Sequence, residues 1–139
     1  MSRLGFRLVT GIHVAVYRAM RGKVGAQIGK APILLLTTRG RYSGKPRTVP
    51  LLFHADGVRV VVVASKGGAP RHPAWFLNLQ AEPEVSVQIR GERRRLRARE
   101  ADEAERASYW PLLVSMYPPY ERYQERTSRR IPLVVLEPA

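Results

Sequence analysis

Apolar and polar residues alternate with two different periods along the chain, and these periods predict its elements. Over residues 1–21, apolar side chains recur every three or four positions with arginines between them, which predicts an amphipathic helix ending near Gly22. The glycine-containing stretch Lys23 to Lys30 is typical of a linker. Beyond it, short apolar runs predict six strands, over residues 33–38, 47–54, 58–64, 85–89, 93–99 and 131–136.

Turn-forming residues indicate how these strands are connected. Asp56-Gly57 between two apolar runs predicts a hairpin, and Pro50 predicts that its strand lies at an edge or contains a bulge. Pro111 is expected to kink or split a long helix. An α+β fold is therefore predicted, as a small barrel or a highly twisted sheet of about six mostly antiparallel strands. Its helices are predicted over residues 74–80, 102–116 and 119–127.

The length of 139 residues allows one domain with a full hydrophobic core and is too short for two. We therefore expect residues 1–30 to be a helix and linker attached to one domain of residues 31–139. The absence of cysteine excludes disulfides, thiolate metal ligands and thiol nucleophiles. The three histidines lie far apart without the spacing of metal ligands, which argues against a metal enzyme.

The net charge of +13 is concentrated at the front of the chain. Residues 1–55 contain ten Lys and Arg and no acid, whereas residues 56–139 contain fourteen against eleven. This asymmetry predicts an anionic partner (nucleic acid, anionic lipid or an acidic small molecule), although a merely solubilising surface would look the same. Residues 1–21 lack both the apolar run of a membrane span and a signal cleavage site. Their helix is expected either to lie on an anionic bilayer or to cap the domain.

Two glycine- and base-rich turns stand at the ends of predicted strands, and each could hold an anion. The first, GRYSGKPR, contains four candidate ligands, and Arg47 opens a strand that would fix its guanidinium for bidentate contact with phosphate or carboxylate. The second, SKGG at residues 65–68, has adjacent glycines that would let the backbone approach a ligand closely as a phosphate nest. A solvated hairpin tip is the alternative for the first turn.

Aromatic residues could supply the apolar part of a pocket. Trp75 and Asn78 share one face of the helix predicted after Pro73, where Trp75 could cover an aromatic ring and Asn78 could satisfy a polar edge. The tyrosines of MYPPYERY are three residues apart, which on a helix places three phenols along one side. Either set could instead belong to the hydrophobic core. His72 is expected to be a loop residue without a catalytic part.

Three segments together resemble the deazaflavin-dependent nitroreductase family, whose members are oxidoreductases that use reduced coenzyme F420. They are LLTTRGRYSGKPRTVPLLF, VVVASKGGAPRHPAWFLNL and YWPLLVSMYPPYERYQERTSRRIPLVVLEP, and the resemblance runs from about Ile33 to Pro138. It implies a split β-barrel and a bound deazaflavin that carries ribityl phosphate, lactate and polyglutamate, which would account for the basic first half. The family usually has Lys or Arg at the position of Tyr42, so weaker binding of the acidic tail is expected.

The resemblance also implies the site residues. The first turn and the strand after it would hold the phosphate and tail, the second turn would run along the ring and ribityl chain, and the helix after Pro73 would flank the coenzyme. Ser65 would join three tyrosines, Tyr117, Tyr120 and Tyr123, in the acceptor pocket. The implied coenzyme-binding residues are Arg41, Tyr42, Ser43, Lys45, Arg47, Thr48, Val49, Pro50, Val63, Ala64, Ser65, Lys66, Gly67, Gly68, Ala74, Trp75 and Asn78.

We therefore expect a cytoplasmic enzyme that moves a hydride from reduced coenzyme F420 to a small electrophilic acceptor. Tyr120 or Tyr123, with Ser65, would donate to the acceptor oxygen where negative charge develops. A quinone suits this best, because the basic helix of residues 1–21 would bring the pocket to the inner face of the cell membrane; nitroaromatics would be incidental substrates. The alternatives are a non-catalytic split-barrel binder of flavin, haem or fatty acid, and a surface that binds nucleic acid.

Overall fold

The computed structural model describes residues 27–28 and 31–139, in which eight antiparallel strands and three α-helices are found. The helix predicted over residues 1–21 lies outside these described residues. The strands are β1 (Gln27–Ile28), β2 (Ala31–Arg39), β3 (Pro46–Leu52), β4 (His54–Asp56), β5 (Arg59–Val63), β6 (Glu84–Ile89), β7 (Glu92–Glu100) and β8 (Leu133–Glu137). The helices are α1 (Ala74–Ala81), α2 (Glu103–Met116) and α3 (Pro119–Glu125), with a 3₁₀ turn at Lys66–Gly68.

The strands form one sheet in the order β1-β2-β6-β7-β8-β5-β4, with β3 also paired to β2. Consecutive strands therefore pair at the two ends of the sheet. β3 pairs with β2 at one end, and β4, which follows Phe53, pairs with β5 at the other. The ladder does not close into a continuous barrel, because the chain changes its partner strand at Phe53. The predicted α+β split barrel is confirmed.

Alternating side chains explain why the sheet curls around a core. One face of the strands carries Leu34, Leu36, Val60, Val62 and their neighbours into the barrel interior, which α1 fills with buried aromatic and aliphatic side chains. The opposite face of β5 and β8 packs against α2 and α3. These two strands are therefore apolar over Val60–Val63 and Leu133–Leu136, whereas β7 alternates arginines with inward Leu96 and Ala98.

Phe53 divides the strand predicted over residues 47–54. Its side chain is buried in the barrel interior, and its amide donates to the Pro32 carbonyl of β2 at 3.2 Å. This is the last hydrogen bond of the stretch to β2, since the next residues pair with β5. Among the described strands, β3 pairs with β2 alone, which agrees with the edge position predicted from Pro50. The hairpin predicted at Asp56-Gly57 is present, although its two loop residues are Gly57 and Val58.

Two sequence predictions needed correction, one near the start of the described residues and one within α2. The stretch Lys23 to Lys30, predicted to be a linker, contains β1, which pairs with the start of β2. Pro111 does not split its helix, because α2 runs from Glu103 to Met116 without interruption. Pro111 and Ala107, whose carbonyl loses the usual amide partner, are both exposed, so water can satisfy that carbonyl.

Helix α2 is fixed at its start by charge. Asp102 caps it in a capping box with Glu105, and Arg99 on β7 donates to both oxygens of the Glu105 carboxylate at 2.7 and 2.8 Å. Arg99 also donates to Glu137 at 2.6 Å. These pairs lock the helix to the last strand. No helix in the part of the chain that the structure describes is long and apolar enough to cross a membrane.

Candidate functional site

The first glycine-rich turn is held against α1 by a buried amide. Asn78 Oδ1 accepts hydrogen bonds from Arg41 Nη1 at 2.8 Å and from the Arg41 backbone amide at 3.2 Å. Asn78 Nδ2 donates to Thr38 Oγ1 at 3.2 Å, and Arg41 Nη1 also reaches the Ala74 carbonyl at 3.4 Å. Both polar groups of Asn78 are therefore used within the protein. Asn78 and Arg41 position the turn, and the coenzyme contact expected of both residues stays a prediction.

Two cations of this turn stay available to a ligand. Lys45 and Arg47 are exposed, and neither forms an ion pair with a carboxylate of the described residues. Ser43 Oγ accepts from the Lys45 amide at 3.2 Å and from Arg47 Nη2 at 3.4 Å, which keeps the two basic residues together. Tyr42 is 90% exposed, and the Arg41 guanidinium lies 4.6 Å from its ring centroid.

The β3 residues predicted to bind the phosphate and tail have side chains on two opposite sides of the strand. Arg47 pairs with Thr38, which faces Asn78, whereas Thr48 Oγ1 lies 2.8 Å from Thr37 Oγ1 on the opposite side of the strands. Since side chains alternate along a strand, Val49 shares the side of Arg47, and Pro50 shares that of Thr48. The side chains of Thr48 and Pro50 thus face away from the turn's cations.

The second turn has the backbone geometry of an anion nest. Ser65 is in the right-handed region (φ −80°, ψ −40°), and Lys66 follows with φ +44° and Gly67 with φ +63°. Consecutive right- and left-handed residues turn successive amides toward one concave side. No hydrogen bond within the described residues uses the amides of Ser65, Lys66 and Gly67. Lys66 adds an exposed cation to these three free donors.

The segment that follows the second turn reaches the first turn at the start of α1. The second turn continues through Pro73 into Ala74, whose carbonyl the Arg41 side chain of the first turn approaches. Trp75, in the first turn of α1, is buried in the barrel interior, where it lies edge-on to Phe76. Ala64 is also buried there, whereas Val63 faces the other core with α2. Val63 therefore packs in the core on the other side of β5 and does not face the barrel interior.

The second turn packs directly on the tyrosine-bearing helix. Gly68 lies so close to α3 that a Cβ atom added to it would come within 2.5 Å of the Tyr123 carbonyl oxygen. Arg129, beyond α3, donates to the carbonyls of Ala64, Ser65 and Ala69, and its Nη1 lies 3.1 Å from His72 Nδ1. Sequence reasoning missed Arg129, because an arginine in an irregular segment carries no pattern that predicts its partners. His72 is a loop residue, as expected.

The three tyrosines cluster, although one helix does not carry them all. Tyr117 follows α2, while Tyr120 and Tyr123 lie on α3, and the ring centroids are 4.9 to 6.3 Å apart. The hydroxyls of Tyr117 and Tyr123 lie 3.2 Å apart, and both residues are half-buried. Tyr120 is buried in the core with α2, and this burial raises the pKa of its phenol. The hydrogen bond to Tyr123 raises the pKa of Tyr117 as well, so the phenols of Tyr117 and Tyr120 remain protonated at neutral pH.

A groove of about 590 Å³ lies between the end of β2 and the start of β6, and Gly44 and Pro46 of the first turn line part of it. Arg39 and Arg95 line it, but so do Glu82, Glu84 and the terminal residue Ala139, so its charge does not favour an anion. Of the residues predicted to bind the coenzyme, this groove contains none. It borders the first turn, but its mixed charge makes it a poor candidate for the phosphate and acidic tail.

Comparisons with known proteins agree on one family. The family model described as F420H(2)-dependent quinone reductase matches residues 9–138. An F420H(2)-dependent quinone reductase of Mycobacterium tuberculosis is 40% identical over 129 residues, which is 90% of this chain and 87% of that protein. The solved structure of an F420-H2 dependent reductase is 46% identical, with a TM-score of 0.71 over 76% of this chain and 94% of that one.

A more distant structure shares the fold alone. The haem storage protein of Vibrio cholerae is 16% identical and has a TM-score of 0.54, over 94% of this chain and 90% of that chain. The split barrel is thus common to proteins of different function, and the fold by itself does not identify the ligand.

Proposed function

Because this chain belongs to the F420H(2)-dependent quinone reductase family, we propose that it transfers a hydride from reduced coenzyme F420 to a quinone. The observation that carries this proposal is the row of amides at Ser65, Lys66 and Gly67 that make no hydrogen bond to a described residue. The first turn adds two cations, Lys45 and Arg47, without a carboxylate partner among the described residues. Such a site suits a ligand with a phosphate and an acidic tail. When bound, the coenzyme supplies the hydride, and the protein provides position, a dry face and hydrogen bonds.

The residues present fit this coenzyme. Lys45 and Arg47 would hold the phosphate and tail, and the nest with Lys66 would hold a second anionic or carbonyl group. Trp75 and Ala64 are buried in the barrel interior and would support the site from below. Tyr42, in place of the family's usual cation, offers no charge, and Lys45 would supply the missing contact. Weaker tail binding remains our expectation.

The tyrosine pair would act on the acceptor. Tyr123 is the best-placed donor, because its backbone packs on Gly68 of the second turn and its side chain is half-buried rather than buried. A phenol at this point can stabilise negative charge that develops on an acceptor oxygen. Ser65 lies in the adjacent turn, and its hydroxyl makes no hydrogen bond to a described residue. Tyr120 supports the pair from the core, since its ring contacts both partners.

Two finer proposals concern the acceptor and the membrane. Nitroaromatics would be reduced incidentally, because they also place an electron-poor oxygen-bearing ring over the coenzyme. Residues 1–21, which lie outside the described residues, would bind the anionic inner face of the cell membrane through four arginines on an amphipathic helix. Sedimentation with anionic and neutral vesicles tests this: equal binding to both would contradict an electrostatic attachment.

Fluorescence titration tests the function directly. The purified protein is titrated with coenzyme F420 and, separately, with FMN, which has a ribityl phosphate but no acidic tail. Binding of the deazaflavin at micromolar concentration or tighter, with weaker binding of FMN, is expected. A soluble quinone and the reduced coenzyme are then mixed with the protein, and coenzyme oxidation is followed by absorbance. Failure to bind coenzyme F420 would overturn the proposed enzyme.

A further inference from the structure

The Arg129 guanidinium contacts the second turn at four points. Its Nε donates to the Ala69 carbonyl at 2.7 Å, its Nη2 to the Ser65 carbonyl at 2.7 Å, and its Nη1 to the Ala64 carbonyl at 3.1 Å. Nη1 also lies 3.1 Å from His72 Nδ1, which must accept the bond because arginine has only donors. All three guanidinium nitrogens thus bond to one loop, residues 64–72, which contains the second turn.

These bonds determine which way the nest amides face. A planar trans peptide points its carbonyl and its N–H in opposite directions, so a fixed carbonyl also fixes the following amide. The Ala64 carbonyl shares a peptide plane with the Ser65 amide, and the Ser65 carbonyl shares one with the Lys66 amide. Arg129 therefore holds two of the three nest donors away from itself and toward the open side.

The backbone around Arg129 is itself well supported. The Gln124 side chain on α3 donates to the Arg129 carbonyl at 2.8 Å and accepts from the Ile131 amide at 2.9 Å. The Arg129 amide donates to Thr127 Oγ1 at 3.2 Å. The guanidinium thus projects from a fixed segment onto the loop, while Gly68 packs the same loop against Tyr123.

The charge of Arg129 is also unusual. It forms no ion pair with a carboxylate anywhere in residues 31–139, and its burial lowers its pKa without removing its charge. A half-buried cation surrounded by carbonyls polarises those peptides, and a polarised peptide is a better donor at its N–H end. Both the orientation and the strength of the nest donors therefore depend on this residue.

We propose that Arg129 is a positioning residue, which sets the Ser65–Lys66 amides to receive an anionic or carbonyl group of the coenzyme without touching it. This rests on the proposed function, because the ligand of the nest is taken to be coenzyme F420. A lysine could supply the charge, but its single ammonium cannot span three carbonyls and an imidazole. Orientation and charge can thus be separated by substitution.

The test compares Arg129→Ala and Arg129→Lys with Arg130→Ala. Arg130 is the matched control, because it is the adjacent arginine and pairs with Glu103 on α2, with no bond to the loop. Affinity for coenzyme F420 is measured by fluorescence, with and without added guanidinium chloride at concentrations far below those that unfold the protein. Exchange of the Gly68 and Ala69 amides, which bond within the loop, is followed by NMR in the free protein.

We expect both Arg129 variants to lose about tenfold or more in coenzyme affinity, the equivalent of one charge-assisted hydrogen bond. We also expect faster exchange of the loop amides, rescue of the alanine variant by guanidinium ion, and little change in Arg130→Ala. Full affinity in Arg129→Lys would show that charge alone suffices and overturn the positioning role. Unchanged loop exchange would overturn it as well. A wild-type protein that binds no coenzyme would contradict the proposed function, while the exchange data would still decide whether Arg129 orders the nest.

Should Arg129→Ala fail to fold, the lysine variant and His72→Ala keep the proposal falsifiable. His72→Ala removes one of the four acceptors and leaves the three carbonyls bound. A small loss of affinity is expected from it, and a loss as large as that of Arg129→Lys would overturn the assignment to the carbonyl contacts.

Discussion

Asn78 fixes Arg41 through a buried acceptor: Asn78 Oδ1 lies 2.8 Å from Arg41 Nη1 and 3.2 Å from the Arg41 amide. The same side chain donates to Thr38 on β2, so one amide ties the first turn to both α1 and the sheet. The first turn is therefore held in place by hydrogen bonds to a buried side chain, which also restricts the position of its exposed residues.

Asn78→Ala should destabilise the protein by about 1–3 kcal/mol, because it leaves the buried Thr38 hydroxyl and the Arg41 donors without their partner. It should also weaken coenzyme binding, since the first turn loses its attachment. Urea unfolding and fluorescence titration measure the two effects. Asn78→Asp is the control: it keeps the acceptor for Arg41 and should retain most of the affinity. Equal loss in both variants would argue against the Arg41 contact as the cause.

The tyrosine hydroxyls should differ in their effect on turnover. Tyr123→Phe removes a half-buried donor and should lower kcat for quinone reduction by about tenfold to a hundredfold while coenzyme affinity stays nearly unchanged. Tyr120→Phe keeps the buried ring, and its hydroxyl makes no hydrogen bond to a described residue, so a smaller effect is expected. Steady-state kinetics with a soluble quinone distinguish them. If neither variant loses turnover, the tyrosines do not assist the acceptor.

Gly68 should tolerate no side chain. A Cβ at this position would lie 2.5 Å from the Tyr123 carbonyl oxygen and 2.9 Å from its Cα, both of them backbone atoms. Gly67, one residue earlier, has a similar positive φ but no neighbouring atom within 4 Å of a built Cβ. Gly67→Ala should therefore cost only about 1 kcal/mol of backbone strain, and Gly68→Ala clearly more. Thermal unfolding measures both, and equal costs would mean that the loop can move away from α3.

Glu105 should make stability depend on pH in the acid range. Its hydrogen bond with Arg99, together with the backbone bond at Asp102, holds the pKa of this carboxyl at about 2, below its ordinary value of 4.5. Ionised Glu105 thus contributes stability above pH 4.5, and this contribution is lost as the pH falls toward 2. Because Arg99 is partly solvated, we expect a contribution on the order of 1 kcal/mol.

Unfolding of Glu105→Gln at several pH values checks this. The variant should be less stable than the natural protein at pH 7, and the difference should shrink as the pH falls through the acid range. Glu103→Gln is the control, since the Glu103–Arg130 pair is exposed and is expected to change stability less. A constant difference at all pH values would show that the carboxylate charge is not responsible.

Much of the fold follows from local pattern. The alternation in β7, the continuous apolar runs of β5 and β8, and the glycine at the Gly57 turn each indicate their element within a few residues. The division at Phe53 could not be predicted, because both halves are extended and only the change of partner strand separates them. β1 is similarly too short for a pattern and exists through its pairing with β2.

The sequence by itself determined the chemistry of the site: two cationic glycine turns, three tyrosines, and a resemblance specific enough to indicate a deazaflavin. The tertiary structure decided which of these side chains stay free. Asn78, expected at the ligand, also bonds Arg41, and Arg129, which has no motif, bonds the carbonyls of the second turn. Residue type and spacing are local properties, whereas a hydrogen bond between Arg129 and Ser65 joins positions 64 residues apart. Only the folded chain brings such partners together.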